Sequence, residues 1–324
     1  MKIIAKLLVT GAAAAVGALA SIVVTDRAQE KKEKKEFEPY GTTLETEFGR
    51  MTAITAGEKG PNIVVLNGYG SPSPYLEFKP LMKELSRFSK VTVLEPLGYG
   101  CSDNTERPRT IDHITEELDA ALNALNIQKC WLMPHSIAGV YSLAYVNMYP
   151  EKVEGILAID PSHPEQIDYF DTSSANKLSF VLKQLGLLRL TNGPVHGDSY
   201  GLDYEAHDIE LMKKMYLWHT HDQVQDNEAK NIRENMNTCR HMSFPEELPI
   251  LMMLASENVT TFEDWWKPLH EKQIAETKYG KLVELDGTHF LHLTQSAQIA
   301  ETSRKYIRET LIRKLEEAQK QLKK

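Results

Sequence analysis

Six short stretches of this chain are mostly apolar, at residues 62–66, 91–94, 130–133, 153–159, 249–254 and 281–285. A strand with one wet face alternates polar and apolar side chains, so a run with no polar face belongs in a sheet buried on both sides. Helical patterns fall between them. Residues 75–88 carry Leu76, Leu81, Leu85 and Phe88 on one face. Residues 110–125 carry Ile111, Ile114, Leu118, Leu122 and Leu125, with Thr110 placed to cap them. The alternation predicts an α/β chain: a mostly parallel sheet with helices on both faces. Weak alternation over residues 44–56 predicts an opening antiparallel pair. Residues 162–247 break the pattern with no clear strand and helical segments around 178–188, 208–218 and 227–236. They predict a helical cap over the carboxyl edge of the sheet. The domain plan is then a core of residues 40–161 and 248–324 with the cap, residues 162–247, inserted between its two parts.

In parallel sheets ligands bind where the strands end. The first apolar run ends in Asn67-Gly68-Tyr69-Gly70-Ser71, the fourth in Asp160-Pro161, and the last in Asp286-Gly287-Thr288-His289. The third ends in Met133-Pro134-His135-Ser136-Ile137-Ala138-Gly139, followed by an apolar helical stretch, 140–146, that stops at Pro150. A serine on so tight a strand-to-helix turn is held out of the sheet, and the next amide faces the place where an oxyanion forms. Ser136 is therefore a candidate nucleophile. The usual pattern around such a serine is G-x-S-x-G, and Pro134 and Ala138 depart from it. Pro134 is the larger departure, because it fixes φ and removes an N–H at a crowded turn. Taken alone, the heptad also fits an ordinary buried strand–loop–helix.

The composition narrows the function classes. A chain of 324 residues, 42% of them hydrophobic, can bury one large core. A net charge of −8 with no basic concentration disfavours nucleic acid as a partner. Cys101, Cys130 and Cys239 are odd in number and lack paired spacing, which argues against disulfides or a zinc site; Cys130 is expected to be an inert buried thiol. His207, His219, His221 and His241 lack metal-ligand spacing, so no metal is expected. Leu211, Met212, Met215, Tyr216 and Trp218 read as cap core, and Trp265-Trp266 as packing of a late helix onto the sheet. At the N-terminus Lys2 and Lys6 precede an apolar run, 7–24, and then charges. Residues 1–25 are expected to form a signal peptide, cut after Ala18-Leu19-Ala20, or an uncleaved membrane anchor. Residues 26–39 are expected to be a solvated charged linker. This places the protein at the outer face of the cell membrane, or secreted, with the membrane as a partner through the N-terminal segment.

Four strand-end segments in order resemble the α/β-hydrolase fold family over about residues 40–160 and 246–315. Asn67-Gly68-Tyr69-Gly70 is similar to the family's His-Gly-x-Gly oxyanion turn, with Asn for His. Gly98-Tyr99-Gly100-Cys101-Ser102 resembles its G-x-G-x-S loop, residues 134–139 its nucleophile elbow, and Gly287-Thr288-His289 with His292 its Gly-x-His segment. The resemblance implies a serine hydrolase acting on an ester, amide or related acyl bond in a small-molecule or acyl substrate, without a cofactor. Ser136 would be the nucleophile, His289 the base, and the amides of Tyr69 and Ile137 the oxyanion hole. His292 would be a cap or lid contact. The acid stays open. Most relatives carry it after the strand at 249–254, where this chain has Asn258 with Glu257 beside it. Pancreatic-type lipases take it from the preceding strand end, where this chain has Asp160. Asp160 is preferred and Glu257 is the alternative. A hydrolase-fold protein that only binds a ligand, or one that turns the same triad to lyase or haloperoxidase-like chemistry, are the competing functions.

Overall fold

The computed structural model describes residues 2–169, 177–191 and 204–322. Its strands are β1 (Thr42–Thr46), β2 (Gly49–Ala56), β3 (Asn62–Leu66), β4 (Lys90–Glu95), β5 (Cys130–Pro134), β6 (Val153–Ile159), β7 (Ile250–Ala255) and β8 (Lys281–Leu285). They form one eight-stranded sheet in the order β1-β2-β4-β3-β5-β6-β7-β8. β2 pairs antiparallel with β1 and β4, and every other pairing is parallel. Each apolar run thus becomes a strand, and the opening antiparallel pair lies at the edge.

The central runs are apolar on both faces because two cores claim alternate side chains of their strands. Ile63 and Val65 of β3, Trp131 and Met133 of β5, and Leu251 and Met253 of β7 enter one core, with Phe78, Leu81, Ile299 and Tyr306 from the helices of that face. Val64 and Leu66, Cys130 and Leu132, and Ile250, Met252 and Leu254 enter the other, with Leu118, Leu122, Val140 and Leu143. Each such side chain, fully buried, contributes about 1.5–3 kcal/mol, which pins the register and with it the positions of the strand ends. Cys130 is fully buried and burial pushes its thiol up to about 12, so it is protonated and inert at neutral pH.

The helices in chain order are α1 (Lys2–Glu36), α2 (Pro74–Leu85), α3 (Ile111–Ala124), α4 (Ala138–Met148), α5 (Lys177–Gln184), α6 (Ala206–His219), α7 (Gln223–Cys239), α8 (Ser256–Thr261), α9 (Trp266–Ile274), α10 (Leu291–Thr294) and α11 (Ser296–Leu322). α5, α6 and α7 lie between β6 and β7, where the cap was expected. α7 is latched to the core by polar side chains. Glu228 accepts hydroxyl hydrogen bonds from Tyr99 at 2.7 Å and Tyr141 at 2.8 Å. Asn227 and Asn235 accept from the amides of Arg109 and Ile111, both at 2.8 Å. Thr110, the expected cap of α3, makes no side-chain cap bond; Asn235 reaches across from α7 to meet the first amide of the helix instead.

The N-terminal expectation needs correcting. Among the described residues no helix is long and apolar enough to cross a membrane, so neither the anchor nor a membrane contact through it is supported. Residues 26–36 are not a separate linker: they continue α1, with Arg27, Lys31, Lys32, Lys35 and Glu36 exposed, while Asp26, Glu30 and Glu33 find partners on the cap. Arg189 donates to Asp26 at 2.9 Å and to both carboxylate oxygens of Glu33, at 2.8 and 3.1 Å. Trp218 donates to Glu33 at 3.3 Å and packs against Phe37.

Candidate active site

Ser136 sits between β5 and α4 with φ +54, and Asp160 follows β6 with φ +39. Both are non-glycine residues in the left-handed region, a conformation that persists only where the surroundings impose it. At Ser136 they do so with a ring of backbone bonds. Its carbonyl accepts from the amides of Gly139 at 2.9 Å and Ser162 at 2.8 Å, and His135 N bonds Leu66 O at 3.0 Å. The tight approach falls at Gly139, where a Cβ would lie 2.6 Å from Pro161 Cβ. That is why Ala138 is tolerated one position earlier. Pro134 is tolerated because the ladder between β5 and β6 runs to Leu132–Ile156 and then resumes as a single bridge, His135–Ile159; Pro134 lies in the interval.

Three of the expected residues converge. His289 Nε2 lies 3.0 Å from Ser136 Oγ, and His289 Nδ1 lies 2.6 Å from Asp160 Oδ2. A carboxylate only accepts, so Nδ1 carries the ring's proton and donates it to Asp160, leaving the Nε2 lone pair to accept the Ser136 hydroxyl. Ser136 and His289 are partly exposed, whereas Asp160 is fully buried. Burying a carboxylate requires donors, and four converge on this one. Ala255 N (2.9 Å) and Trp266 Nε1 (3.1 Å) reach Oδ1; Asn258 Nδ2 (2.5 Å) and His289 Nδ1 reach Oδ2. Asn258 Nδ2 also comes within 3.3 Å of His289 Nδ1; both atoms are donors, so that contact is not a hydrogen bond.

Glu257 lies elsewhere. Its exposed carboxylate accepts from the backbone amide of His289 at 3.1 Å, while His135 Nε2 donates to the His289 carbonyl at 3.0 Å. The two side chains hold the backbone on either side of the imidazole. The turn at Gly68 packs directly on the serine: a Cβ on Gly68 would lie 3.0 Å from Ser136 Cβ. The amides of Tyr69 and Ile137 flank this contact, and neither meets a backbone acceptor among the described residues.

His292 is not a cap or lid contact. It is fully buried in the core, stacked on Phe78, with Nε2 donating to Glu77 at 2.8 Å. Glu77, His135 and His292 are the group among the described residues that could share a metal ion, their ligand atoms lying within 4.8 Å of one another. Zinc needs its ligands about 2.0–2.2 Å away, and here a proton already closes the Glu77–His292 pair. Of the histidines weighed as ligands, His219 and His221 face Asp222 and Asp226, each at 3.4 Å. Trp266 does pack its helix onto the sheet, and its indole N–H also serves Asp160. Sequence reasoning missed His135, Trp266 and Asn258 as site residues. Only the position of Asn258, where an acid usually stands, marked one of them beforehand.

The family model described as alpha/beta hydrolase fold matches residues 61–210. The chain has the α/β-hydrolase fold. Over 301 residues it is 25% identical to the uncharacterized protein YbdG of Bacillus subtilis, covering 89% of this chain and 92% of that one. It is 30% identical over 115 residues to the 2-(acetamidomethylene)succinate hydrolase of Mesorhizobium japonicum, covering 35% of this chain and 41% of that enzyme. Among solved structures, a laboratory-evolved variant of potato epoxide hydrolase superposes with a TM-score of 0.65 at 14% identity, covering 84% of this chain and all of that one. The enol-lactonase of Burkholderia xenovorans superposes with a TM-score of 0.58 at 16% identity, covering 82% of this chain and 99% of that one. Both likenesses are of fold.

Proposed function

We propose that this protein is a serine hydrolase that cleaves an ester, amide or related acyl bond in a small-molecule substrate through an acyl-enzyme on Ser136. The observation that carries the reading is the unbroken line from Ser136 Oγ through His289 to Asp160, at 3.0 and 2.6 Å. In the first half-reaction Ser136 Oγ bonds to the substrate's carbonyl carbon while its proton passes to His289 Nε2. The carbonyl oxygen becomes an oxyanion that accepts from the amides of Ile137 and Tyr69. As the tetrahedral intermediate collapses, the C–O or C–N bond breaks and the leaving group takes the proton from Nε2. Water then attacks the acyl-enzyme with His289 again as base, releasing the acid and restoring Ser136. Asp160 stays ionised throughout, fixing the tautomer and stabilising the imidazolium.

Against a ligand-binding protein without acyl chemistry stands the buried, fully hydrogen-bonded carboxylate behind His289. A binding function does not require it, and burying it is costly. The test is labelling with a fluorophosphonate probe together with turnover of short acyl esters. Label on Ser136 that disappears in Ser136→Ala, with esterase activity lost in parallel, supports the reading. Folded protein that takes no label and turns over no ester refutes it.

A further inference from the structure

Glu77, on the first turn of α2, and His292, on α10, form a buried pair that the hydrolytic steps above do not use. Nε2 of His292 donates to Glu77 Oε1 at 2.8 Å, and its Nδ1 meets no hydrogen-bond partner among the described residues, so the bond to Glu77 sets how the ring lies. Phe78 stacks on that ring at 4.2 Å. The other oxygen of Glu77 accepts from the Ser71 hydroxyl. A carboxylate taken out of water costs stability unless donors meet it, and apolar side chains of the same volume are often at least as stable in such a place. The reason for the pair lies in what it joins.

The two donors come from different parts of the site. Ser71 closes the turn 67–71, whose Gly68 packs on Ser136 and whose Tyr69 amide is the expected oxyanion donor. His292 lies three residues after His289, on the segment that carries the base. His135, the residue before Ser136, meets both histidines: its ring is 4.5 Å from that of His292 and 4.7 Å from that of His289, and its Nε2 donates to the His289 carbonyl at 3.0 Å. We propose that Glu77 and His292 are positioning residues for the site proposed above, on which reading the inference rests. They fasten the oxyanion turn to the segment that carries His289, so that donor and base keep one spacing around Ser136.

α2 gives the tie a firm base. Phe78, Leu81 and Leu85 of this helix are buried in the core of one sheet face, and the positive end of the helix favours a carboxylate on its first turn. The cap closes on the same helix: the Tyr204 hydroxyl donates to the Glu77 carbonyl at 3.1 Å, and Lys79 pairs with Asp208 at 2.6 Å. The oxyanion donor and the base must serve one reacting carbonyl, and a misplacement of about 1 Å costs on the order of a hundredfold in rate. Each segment has backbone bonds of its own; the Glu77–His292 pair adds the spacing between them.

Steady-state kinetics on a short acyl ester test this, together with binding of a trifluoromethyl ketone, whose tetrahedral adduct on Ser136 needs both the oxyanion donors and His289. His292→Phe keeps a stacked ring and loses the donor; His292→Gln carries an amide that can donate from the place of Nε2. The expected fall in kcat for His292→Phe is about ten- to a hundredfold, with KM within a few-fold of wild type and ketone affinity falling in step with kcat. His292→Gln should restore kcat to within a few-fold of wild type. Ser71→Ala breaks the same tie at its other end, so adding it to His292→Phe should cost no more than the larger single loss. Wild-type kcat in His292→Phe, whatever its melting temperature, overturns the proposal, as do an equal loss in His292→Gln or losses that add. If His292→Phe does not fold, Ser71→Ala carries the test: a lower kcat at unchanged KM supports the tie, and wild-type kcat overturns it. Wild-type protein that takes no fluorophosphonate label and turns over no ester refutes the hydrolase reading instead.

Discussion

Asp160→Asn is the substitution that most directly tests how the site is built. The carboxylate offers acceptors on both oxygens to four donors: Ala255 N and Trp266 Nε1 on one, Asn258 Nδ2 and His289 Nδ1 on the other. An asparagine of the same shape offers one oxygen and one NH2. Whichever way the amide turns, two donors face an NH2 and lose their acceptor in a fully buried place. At about 1–3 kcal/mol for each buried donor left unpaired, the variant loses roughly 2–6 kcal/mol of a stability that for a domain is about 5–15 kcal/mol. If the amide presents its oxygen to His289, the ring keeps its tautomer but loses the negative charge that stabilises its cation. If it presents NH2, the tautomer reverses and Nε2 no longer accepts from Ser136. The expected fall in kcat on a short ester is about ten-thousand-fold, or ~5 kcal/mol of transition-state stabilisation. Denaturant titration and steady-state kinetics measure the two effects separately. Glu257→Gln is the paired control. It alters an exposed acceptor of the His289 amide, and its cost is within a few-fold in kcat. The reasoning is refuted if Asp160→Asn keeps a tenth of the activity, or if Glu257→Gln falls as far.

Three further outcomes follow from contacts elsewhere. Gly139→Ala places a Cβ 2.6 Å from Pro161 Cβ and should cost about 1–3 kcal/mol in denaturant titrations, with activity reduced because Ser136 and Asp160 are displaced together; unchanged stability counts against the close approach. Burial raises the Glu95 carboxyl from 4.5 to about 7, so the folded state holds a proton that the unfolded state gives up. Its contribution is full below the unfolded value and fades as pH climbs toward 7, by ~3 kcal/mol in all, and Glu95→Gln should flatten that part of the stability–pH curve; an unaltered slope contradicts the assignment. Arg189→Ala removes the partner of Asp26 and Glu33 and should speed tryptic cleavage within residues 27–35; the same cleavage rate as wild type shows that α1 does not depend on that contact.

The limits of sequence reading are clearest at the acid. Ile159 of β6 pairs with Met253 of β7 in parallel register, so the chain leaving each strand arrives at the same place. Asp160 and the segment 255–258 are therefore neighbours, and either could supply a carboxylate to His289. What separates them is side-chain direction, which no local pattern encodes. Asp160 turns inward from a left-handed residue and meets four donors, while Glu257 lies exposed on the first turn of α8. The N-terminus shows the same limit. An apolar run before a run of charges has a local reading as an anchor and linker, but the acids at 26, 30 and 33 are one helical face whose cationic partners, Arg189 and Lys183, lie more than a hundred and fifty residues away. His135 was invisible for a related reason: it acts through the backbone carbonyl of His289, and every residue possesses a carbonyl.

The sequence by itself determined the sheet, the helices that cover it, the inserted cap and the strand-end positions of Ser136 and His289, because hydrophobic periodicity and turn residues act over a few neighbours. The tertiary structure alone decided which acid stands behind the histidine, what replaces the missing cap of α3, and where the N-terminal charges go. Those outcomes depend on directional hydrogen bonds between segments that meet only once the two cores have fixed the strands in register.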